Sequence, residues 1–406
     1  MHIKRKIETR LLENLDRDEV IVLVGARQSG KTSLLKKLKA DLDSREEITF
    51  FINLENTRYL HLLNEAPENL FKLTGNLPDR RVYVFVDEIQ YLDNPSNFLK
   101  YMYDEYRGKI KLIVTGSSAF FIDQKFKDSL AGRKRLFELK LLDFREFLRF
   151  KGCEELVEHF PQIELLTNRE IPGLVKDKLD KLFMEFVTFG AYPGAVLEKS
   201  DKEKKYLLEE LLNSYLAKDV EAEGIKKKEK FFNLLRLLSM QAGSLINMSE
   251  LGNTLKLSVT AVDNYFFILE KSFQVKRVPP FYSNLRKELT KMPKFYFLDL
   301  GIRNMLLDNF DWLELRMDRG ICVENLVFKL LHDREDVKKM HFWRTQDKKE
   351  VDFIIDGKFA LEVKFNGTKF SAGKYRLFCE TYPGIPLAVV CYTGPTPHSL
   401  SLFDLI

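Results

Sequence analysis

The run Val20-Ile-Val-Leu-Val-Gly25-Ala26-Arg27-Gln28-Ser29-Gly30-Lys31-Thr32-Ser33 constrains the fold of this chain more than any other stretch. A β-branched segment that empties directly into Gly-x-x-x-x-Gly-Lys-Thr demands a strand, a tight loop and a helix in immediate succession. Gly25 and Gly30 permit backbone angles that turn several N–H groups inward, and a helix starting near Lys31 directs its positive end at the same point. The loop from Gly25 through Ala26, Arg27, Gln28, Ser29, Gly30, Lys31 and Thr32 to Ser33 is therefore the expected cradle for nucleotide phosphates. Lys31 is the group expected to reach the β- and γ-phosphates, and the Thr32 hydroxyl is the expected Mg²⁺ ligand. The bland alternative is a glycine-rich strand-to-helix turn.

With 406 residues the chain exceeds one ordinary core, so two or three domains are expected. A formal charge of +5 is too mild to argue for a nucleic-acid partner unless it clusters locally. No stretch reaches the length of a membrane span, and the opening Met-His-Ile-Lys-Arg-Lys-Ile-Glu lacks the apolar core of a signal peptide. A cytoplasmic protein without a membrane partner is the expectation. Cys153, Cys322, Cys379 and Cys391 are far apart and form no C-x-x-C pair, which fits packing residues in a reducing compartment and gives no zinc signature. The histidines are scattered likewise.

After the phosphate loop, Ser33 to Leu42 places Leu34, Leu35 and Leu38 on one helical face, and Ile48 to Asn53 reads as a second strand. Arg81-Val-Tyr-Val-Phe-Val-Asp87-Glu88 is a continuous apolar run closed by two acids, the pattern of a parallel strand buried on both faces. Its end is where a doubly wound sheet places its chemistry. Asp87 is the expected Mg²⁺ carboxylate, direct or through water, and Glu88 the group expected to orient or deprotonate an attacking water. Helix capping is the competing role for such an acid pair. A further strand from Ile110 ends in Thr115-Gly-Ser117-Ser118, hydroxyls at the same sheet edge, one of which is placed to sense the γ-phosphate. Arg133, in Ala-Gly-Arg before a strand at Leu136–Leu141, is a candidate to stabilise the transferring phosphoryl group, within this chain or across a subunit interface. A solvated arginine is its other reading, and both a homo-oligomeric ring and a monomer are compatible with it.

The order of parts, from the acidic doublet through Thr-Gly-Ser-Ser and Ala-Gly-Arg to Leu141-Leu-Asp-Phe144-Arg-Glu146-Phe147-Leu, resembles prokaryotic AAA+ ATPases that carry a C-terminal domain related to restriction endonucleases. The resemblance spans nearly the whole chain. It implies an α/β fold: a P-loop NTPase parallel sheet over residues 1–180, a helical lid with a winged helix over 181–285, and a small restriction-endonuclease-like α/β domain over 286–406. Gly190-Ala-Tyr192-Pro193-Gly194 resembles the family's Gly-Tyr-Pro turn, and Lys294-Phe-Tyr-Phe-Leu-Asp299-Leu-Gly301 its bridge into the last domain.

In the middle region, Lys205–Leu216 and Lys230–Met240 carry apolar residues at three- and four-residue intervals and read as lid helices. Ser249 to Lys256, a loop at Leu257-Ser258 and Val259 to Lys271 have helix-turn-helix spacing, with Ser249 and Ser258 as expected N-caps. A strand from Phe273 completes a winged helix. The second helix is not strongly basic, since Asp263 and Glu270 offset Lys271. Lys276, Arg277, Arg286, Lys287, Lys291 and Lys294 face only Glu288 in the stretch that follows, with Phe281 and Tyr282 among them. This is a candidate basic wing for a DNA backbone, or else a solvated face.

In the last region Glu324 sits on a helix expected over Val323–Leu331. Asp352 lies in the strand from Glu350, and an Asp356-Gly357 turn returns the chain along Lys358-Phe-Ala-Leu-Glu362-Val-Lys364. Alternation puts Glu362 and Lys364 on one face, and the hairpin brings Asp352 beside them. Such a set suits metal-assisted phosphodiester cleavage: Asp352 and Glu362 hold Mg²⁺, Lys364 orients water and Glu324 contributes from the helix. It resembles the D…E-x-K core of restriction endonucleases, without the usual proline before the aspartate. A cross-strand charge pair on a wet sheet is the other reading of Glu362 and Lys364.

Taken together, the sequence predicts a protein that binds and hydrolyses ATP with Mg²⁺ and acts on DNA through the winged helix and a nuclease-like tail. The alternative is a nucleotide-dependent switch that gates a protein partner, its tail catalytically inactive. No Asn-Lys-x-Asp guanine reader is present, so adenine is preferred over guanine.

Overall fold

The apolar runs expected as strands pair into one parallel sheet. In the computed structural model, which describes residues 3–75, 79–116, 130–160, 172–220, 224–282, 291–395 and 399–406, the sheet consists of β1 (Val20–Val24), β2 (Ile48–Asn53), β3 (Val82–Asp87), β4 (Ile110–Gly116) and β5 (Lys134–Glu138). Their order is β2-β3-β4-β1-β5, all neighbours parallel. Side-chain parity sorts the core. Val20, Val22, Val24, Val82, Val84, Val86, Leu112 and Val114 join Phe98, Leu99 and Met102 on one face. Ile21, Leu23, Phe85 and Ile113 join Leu34, Leu35, Leu38 and Leu42 of the Lys31–Asp43 helix on the other. A sheet covered on both faces is why β1, β3 and β4 read as unbroken apolar runs. The exception, Lys111 in β4, is buried because its Nζ donates to the carbonyls of Asn14, Arg17 and Glu19 at 2.7–2.8 Å, tying down the loop that enters β1.

The chain divides into two units, Met1–Leu141 with Lys271–Phe273, and Leu142–Glu270 with Gln274–Ile406. The boundaries proposed from sequence near 180 and 285 both lie in the run of the second unit. Its first helix, Phe144–Phe150, starts at a capping box between Asp143 and Glu146 and packs Phe144 and Phe147 against Phe183 and Phe186 of the Gly173–Phe189 helix.

The two motifs that resemble the family's Gly-Tyr-Pro turn and bridge lock onto each other. Asp299 is buried and accepts from Ala191 N at 2.7 Å and Ile302 N at 2.9 Å, the latter as N-cap of the Leu300–Leu307 helix. Gly190 has φ 77°, and a Cβ there would collide with the Asp299 carboxylate. Gly301 is needed because a Cβ would collide with the Phe189 carbonyl.

The helices Lys228–Met240, Met248–Leu255 and Val259–Lys271 are followed by β6 (Val275–Val278), paired antiparallel with β7 (Lys294–Phe297), so the winged-helix order of elements is present. The first cap is corrected. Asn247 Oδ1, not Ser249, accepts from Glu250 N, at 3.2 Å, while Ser258 Oγ accepts from Ala261 N as expected. The last sheet runs β12-β11-β10-β9-β8, from β8 (Met340–Arg344), β9 (Glu350–Ile355), β10 (Phe359–Asn366), β11 (Leu387–Thr393) and β12 (Ser399–Ser401). Asp356 and Gly357, both at positive φ, make the tight β9–β10 turn. No helix among the described residues is long and apolar enough to cross a membrane.

Candidate functional site

The phosphate loop leaves the C-terminal end of β1. Gln28 (φ 58°) and Gly30 (φ 100°) are in the left-handed region, and the helix begins at Lys31. Gly25 is needed for a different reason from the one the motif suggests. Its φ is not positive, but a Cβ would collide with the carbonyl oxygen of Leu139, whose N–H donates to Val24 O at 2.7 Å. Lys31 is buried and its Nζ donates to Gly25 O (3.0 Å) and Ala26 O (2.9 Å), so the ammonium lies across the loop it serves.

At the neighbouring strand ends, Thr32 Oγ1 donates to Asp87 Oδ2 at 2.7 Å. Thr115 Oγ1, fully buried, donates to the other Asp87 oxygen and accepts from Glu88 N at 2.9 Å. These bonds join β1, β3 and β4 at one edge. Glu88 has φ 60° and ψ 51°, a costly conformation for a residue with a Cβ. The Thr115 bond on its N–H and the 3.1 Å bond from Tyr91 N to its carbonyl hold it there. Burial raises the Glu88 carboxyl above its ordinary range, opposed by the charge of Lys31 and a bond from Gln90. Hard oxygen donors at Thr32 and Asp87 fit a magnesium ion.

Two further expectations meet the structure differently. Arg133 does not reach the loop within its own chain. Its carbonyl accepts from Val20 N at the start of β1, and β5 runs parallel to β1, so Arg133 lies at the opposite sheet edge, where it pairs with Asp104 at 2.7 Å. Five residues of strand separate the two edges, roughly 15 Å. Ser117 and Ser118 lie outside the described residues. The sequence also gave no notice of Arg5, buried, which donates to Ser29 O (2.9 Å) and Lys140 O (2.7 Å) and so braces the loop from behind. Nothing in the basic opening of the chain distinguishes it from its neighbours.

In the tail, β9 and β10 pair so that Leu361 faces Phe353, and one step on Asp352 accepts from Val363 N at 2.8 Å. Glu362 pairs with Lys364, and Glu324 extends from the Arg319–Asp333 helix. The four expected residues share one region of the second unit. Two residues the motif did not include complete it: Lys294 of β7 and Glu350 of β9. Lys294 Nζ lies 2.6 Å from Glu350 Oε1, 3.0 Å from Glu324 Oε1 and 3.7 Å from Asp352 Oδ1. Tyr296, next on the same face of β7, donates its hydroxyl to Glu324 Oε1 at 2.7 Å. Burial works against the Lys294 charge, but the three carboxylates outweigh it and hold the ammonium above its usual range. Burial raises both Glu324 and Glu362, with the Asp352 charge adding to it.

Lys294 therefore leaves the count of the basic wing. Arg277 leaves it too, since its guanidinium pairs with Glu270 and Asp263, each at 3.1 Å, and lies over the Phe266 ring. Arg286 and Lys287 lie outside the described residues; Lys276 and Lys291 are exposed.

Residues 17–148 match the family described as AAA domain. Residues 180–312 and 319–403 match two families described as domains of unknown function, DUF8612 and DUF4143. Among curated proteins, the chain is 27% identical to uncharacterized protein MJ1544 of Methanocaldococcus jannaschii over 87% of this chain and 75% of that one. It is 23% identical to uncharacterized protein Rv2008c of Mycobacterium tuberculosis over 99% and 82%. Among solved structures, the replication initiator DnaA bound to AMPPCP and single-stranded DNA is 15% identical, covering 66% of this chain and 90% of that one, with a TM-score of 0.30. The AAA match, the phosphate loop and the β2-β3-β4-β1-β5 sheet together identify the first part of this chain as a P-loop ATPase domain of the AAA+ type.

Proposed function

We propose that this protein hydrolyses ATP at the phosphate loop and uses the change of nucleotide state as a switch. The observation that carries the reading is the bonded chain Thr32–Asp87–Thr115–Glu88, which ties the loop to the water-activating position through two further strands. Lys31 would neutralise charge on the β- and γ-phosphates, and the loop amides would fix the triphosphate in line for attack. Thr32 and Asp87 would hold a magnesium ion, which supplies electrostatic stabilisation of the phosphoryl oxygens. Glu88 would accept a proton from water as its oxygen bonds to the γ-phosphorus and the bond to the β–γ bridging oxygen breaks, leaving ADP and phosphate. Its elevated carboxyl pKa makes it a stronger base than an exposed glutamate. Placement of Arg133 at the far sheet edge limits any action on the phosphate to a second subunit.

Of the two outputs the sequence suggests, the observations favour the switch over DNA processing. Two of the six wing cations are consumed by acids, and Lys294 occupies the acidic cluster in the tail. Glu88→Gln is expected to bind ATP as tightly as the parent and to lose roughly 10²–10⁴-fold in turnover. Normal turnover in that variant refutes the role of Glu88, and strong stimulation of the parent by duplex or junction DNA refutes the preference for a switch.

A further inference from the structure

The tail's acidic centre contains a cation of its own. Lys294 is 2% exposed and meets carboxylates from the Arg319–Asp333 helix and from β9. A hard divalent ion requires oxygens about 2.0–2.1 Å away for magnesium and 2.3–2.6 Å for calcium. An ammonium nitrogen within hydrogen-bonding distance of Glu324 and Glu350 fills that volume, and its charge repels a second cation. The side chain has no inexpensive exit, because β7 is fixed to β6 by the Val278–Lys294 pair, and departure would take from Glu324 and Asp352 the one ion pair each makes among the described residues, while Glu350 would keep Arg344.

The remaining oxygens point the same way. Glu324 Oε1 already accepts from Tyr296, Asp352 Oδ2 from Val363 N, and Glu362 is engaged by Lys364. The Glu362 carboxylate is also approached by the Tyr375 hydroxyl, and its buried Oε2 alone does not make a metal site. Among the described residues, no group of three or more His, Cys, Asp or Glu is arranged to hold a metal ion. The residues present thus do not fit the Mg²⁺ that the D…E-x-K pattern implies.

We infer that this is an internally neutralised centre: the Lys294 ammonium stands where a divalent cation would sit, so the tail takes up no divalent metal and performs no metal-dependent phosphodiester cleavage. The side chain instead clasps β7 to the Glu324 helix and to β9. This inference rests on the second unit alone and is independent of the ATPase reading.

The test is a Mn²⁺ titration of the nucleotide-free full chain, followed by electron paramagnetic resonance, in an Asp87→Asn background that removes the phosphate-loop carboxylate. The expected result is no saturable binding up to about 1 mM, the weak end of protein carboxylate sites, and no change on adding Asp352→Asn. One Mn²⁺ equivalent that disappears with Asp352→Asn overturns the inference. In the same background Lys294→Met is expected to gain saturable Mn²⁺ binding and an upward Tm shift of about 3 °C or more with the metal, which the parent does not show. A folded Lys294→Met chain that takes no Mn²⁺ overturns the assignment of Lys294 as the stand-in. Should that variant not fold, the titration of the parent and its Asp352→Asn form decides.

Discussion

Thr115→Val removes one oxygen and almost no volume, and the structure says what that oxygen does. It donates to a buried carboxylate at Asp87 and accepts from the N–H of Glu88, which sits in a left-handed conformation. A hydrogen bond to a charged group contributes about 1.5–3 kcal/mol and a neutral one about 0.5–1.5 kcal/mol, so roughly 2–4.5 kcal/mol of local organisation is at stake. Expressed wholly in the hydrolysis step, that range is roughly a 30- to 2,000-fold fall in kcat. Part will instead appear as lower global stability, so a loss of at least about tenfold is the working expectation. ATP affinity should change little, because Lys31 and the loop amides are untouched. The assay is steady-state phosphate release beside equilibrium binding of a fluorescent ATP analogue, with urea unfolding to apportion the loss. Thr115→Ser, which restores the hydroxyl, should recover most of the rate. A Thr115→Val enzyme within about twofold of the parent kcat, a difference of under half a kcal/mol, refutes the claim that this hydroxyl couples the two acids.

Gly25→Ala should abolish ATP binding and lower stability by about 1–3 kcal/mol, because the added methyl meets the Leu139 carbonyl rather than a movable side chain; calorimetry with Mg-ATP and urea unfolding check this. Asp318→Asn should cost about 3–5 kcal/mol, since it strips the shared carboxylate from Arg303 and Arg316, both buried, which donate to it at 2.7 and 2.8 Å. The parent's stability should carry the matching acid signature. Burial raises the Asp318 carboxyl, but Arg316 and Arg303 outweigh it and hold it at about 2, below the ordinary 3.8. Its contribution, about 2 kcal/mol, is present above pH 4 and lost as the pH falls through 2, so the stability gap between parent and Asp318→Asn, read from urea midpoints, should narrow by about that amount over the window without closing.

The ATPase half was legible because its physics is local. A parallel strand buried on both faces must be continuously apolar, and a loop that turns amides inward needs glycine at fixed places, so β1 to β4 and the loop stand out in the string. Arg133 was legible in principle: a residue preceding a strand that runs parallel to β1 lies at the edge away from the loop. Its place in Ala-Gly-Arg, after the Thr-Gly-Ser-Ser strand end, draws attention to it instead. Arg5 and Leu139 were not legible, because what they do to the loop depends on which backbone approaches it in three dimensions. In the tail, the hairpin and the Asp352–Glu362 pairing follow from alternation and a two-residue turn. The meaning of the site did not follow, since it depends on a strand 30 residues before Glu324.

Lys294 shows why counting charge in a window misleads. Between Lys276 and Lys294 every cation adds to the same sum, yet β7 reads Lys-Phe-Tyr-Phe and is buried along its whole length. A lysine at the head of such a strand can persist only if acids from other elements meet it, because an unpaired buried ammonium costs several kcal/mol. The sequence does hold those acids, at Glu324, Glu350 and Asp352; Asp352 is the one expected to hold a metal with Glu362, Glu324 the one expected to assist from the helix, and Glu350 stands outside that set. Glu324 and Asp352 cannot serve both cations, and geometry gives them to the lysine. A buried ion cluster of this kind adds little net stability but tolerates only one docking of its partners. Sliding β7 by one residue would turn Lys294 to the other face and take its ammonium from Glu324 and Asp352. The constellation that resembles a catalytic centre thereby acts as a register pin, fixing the strand of the winged helix to the sheet that follows it.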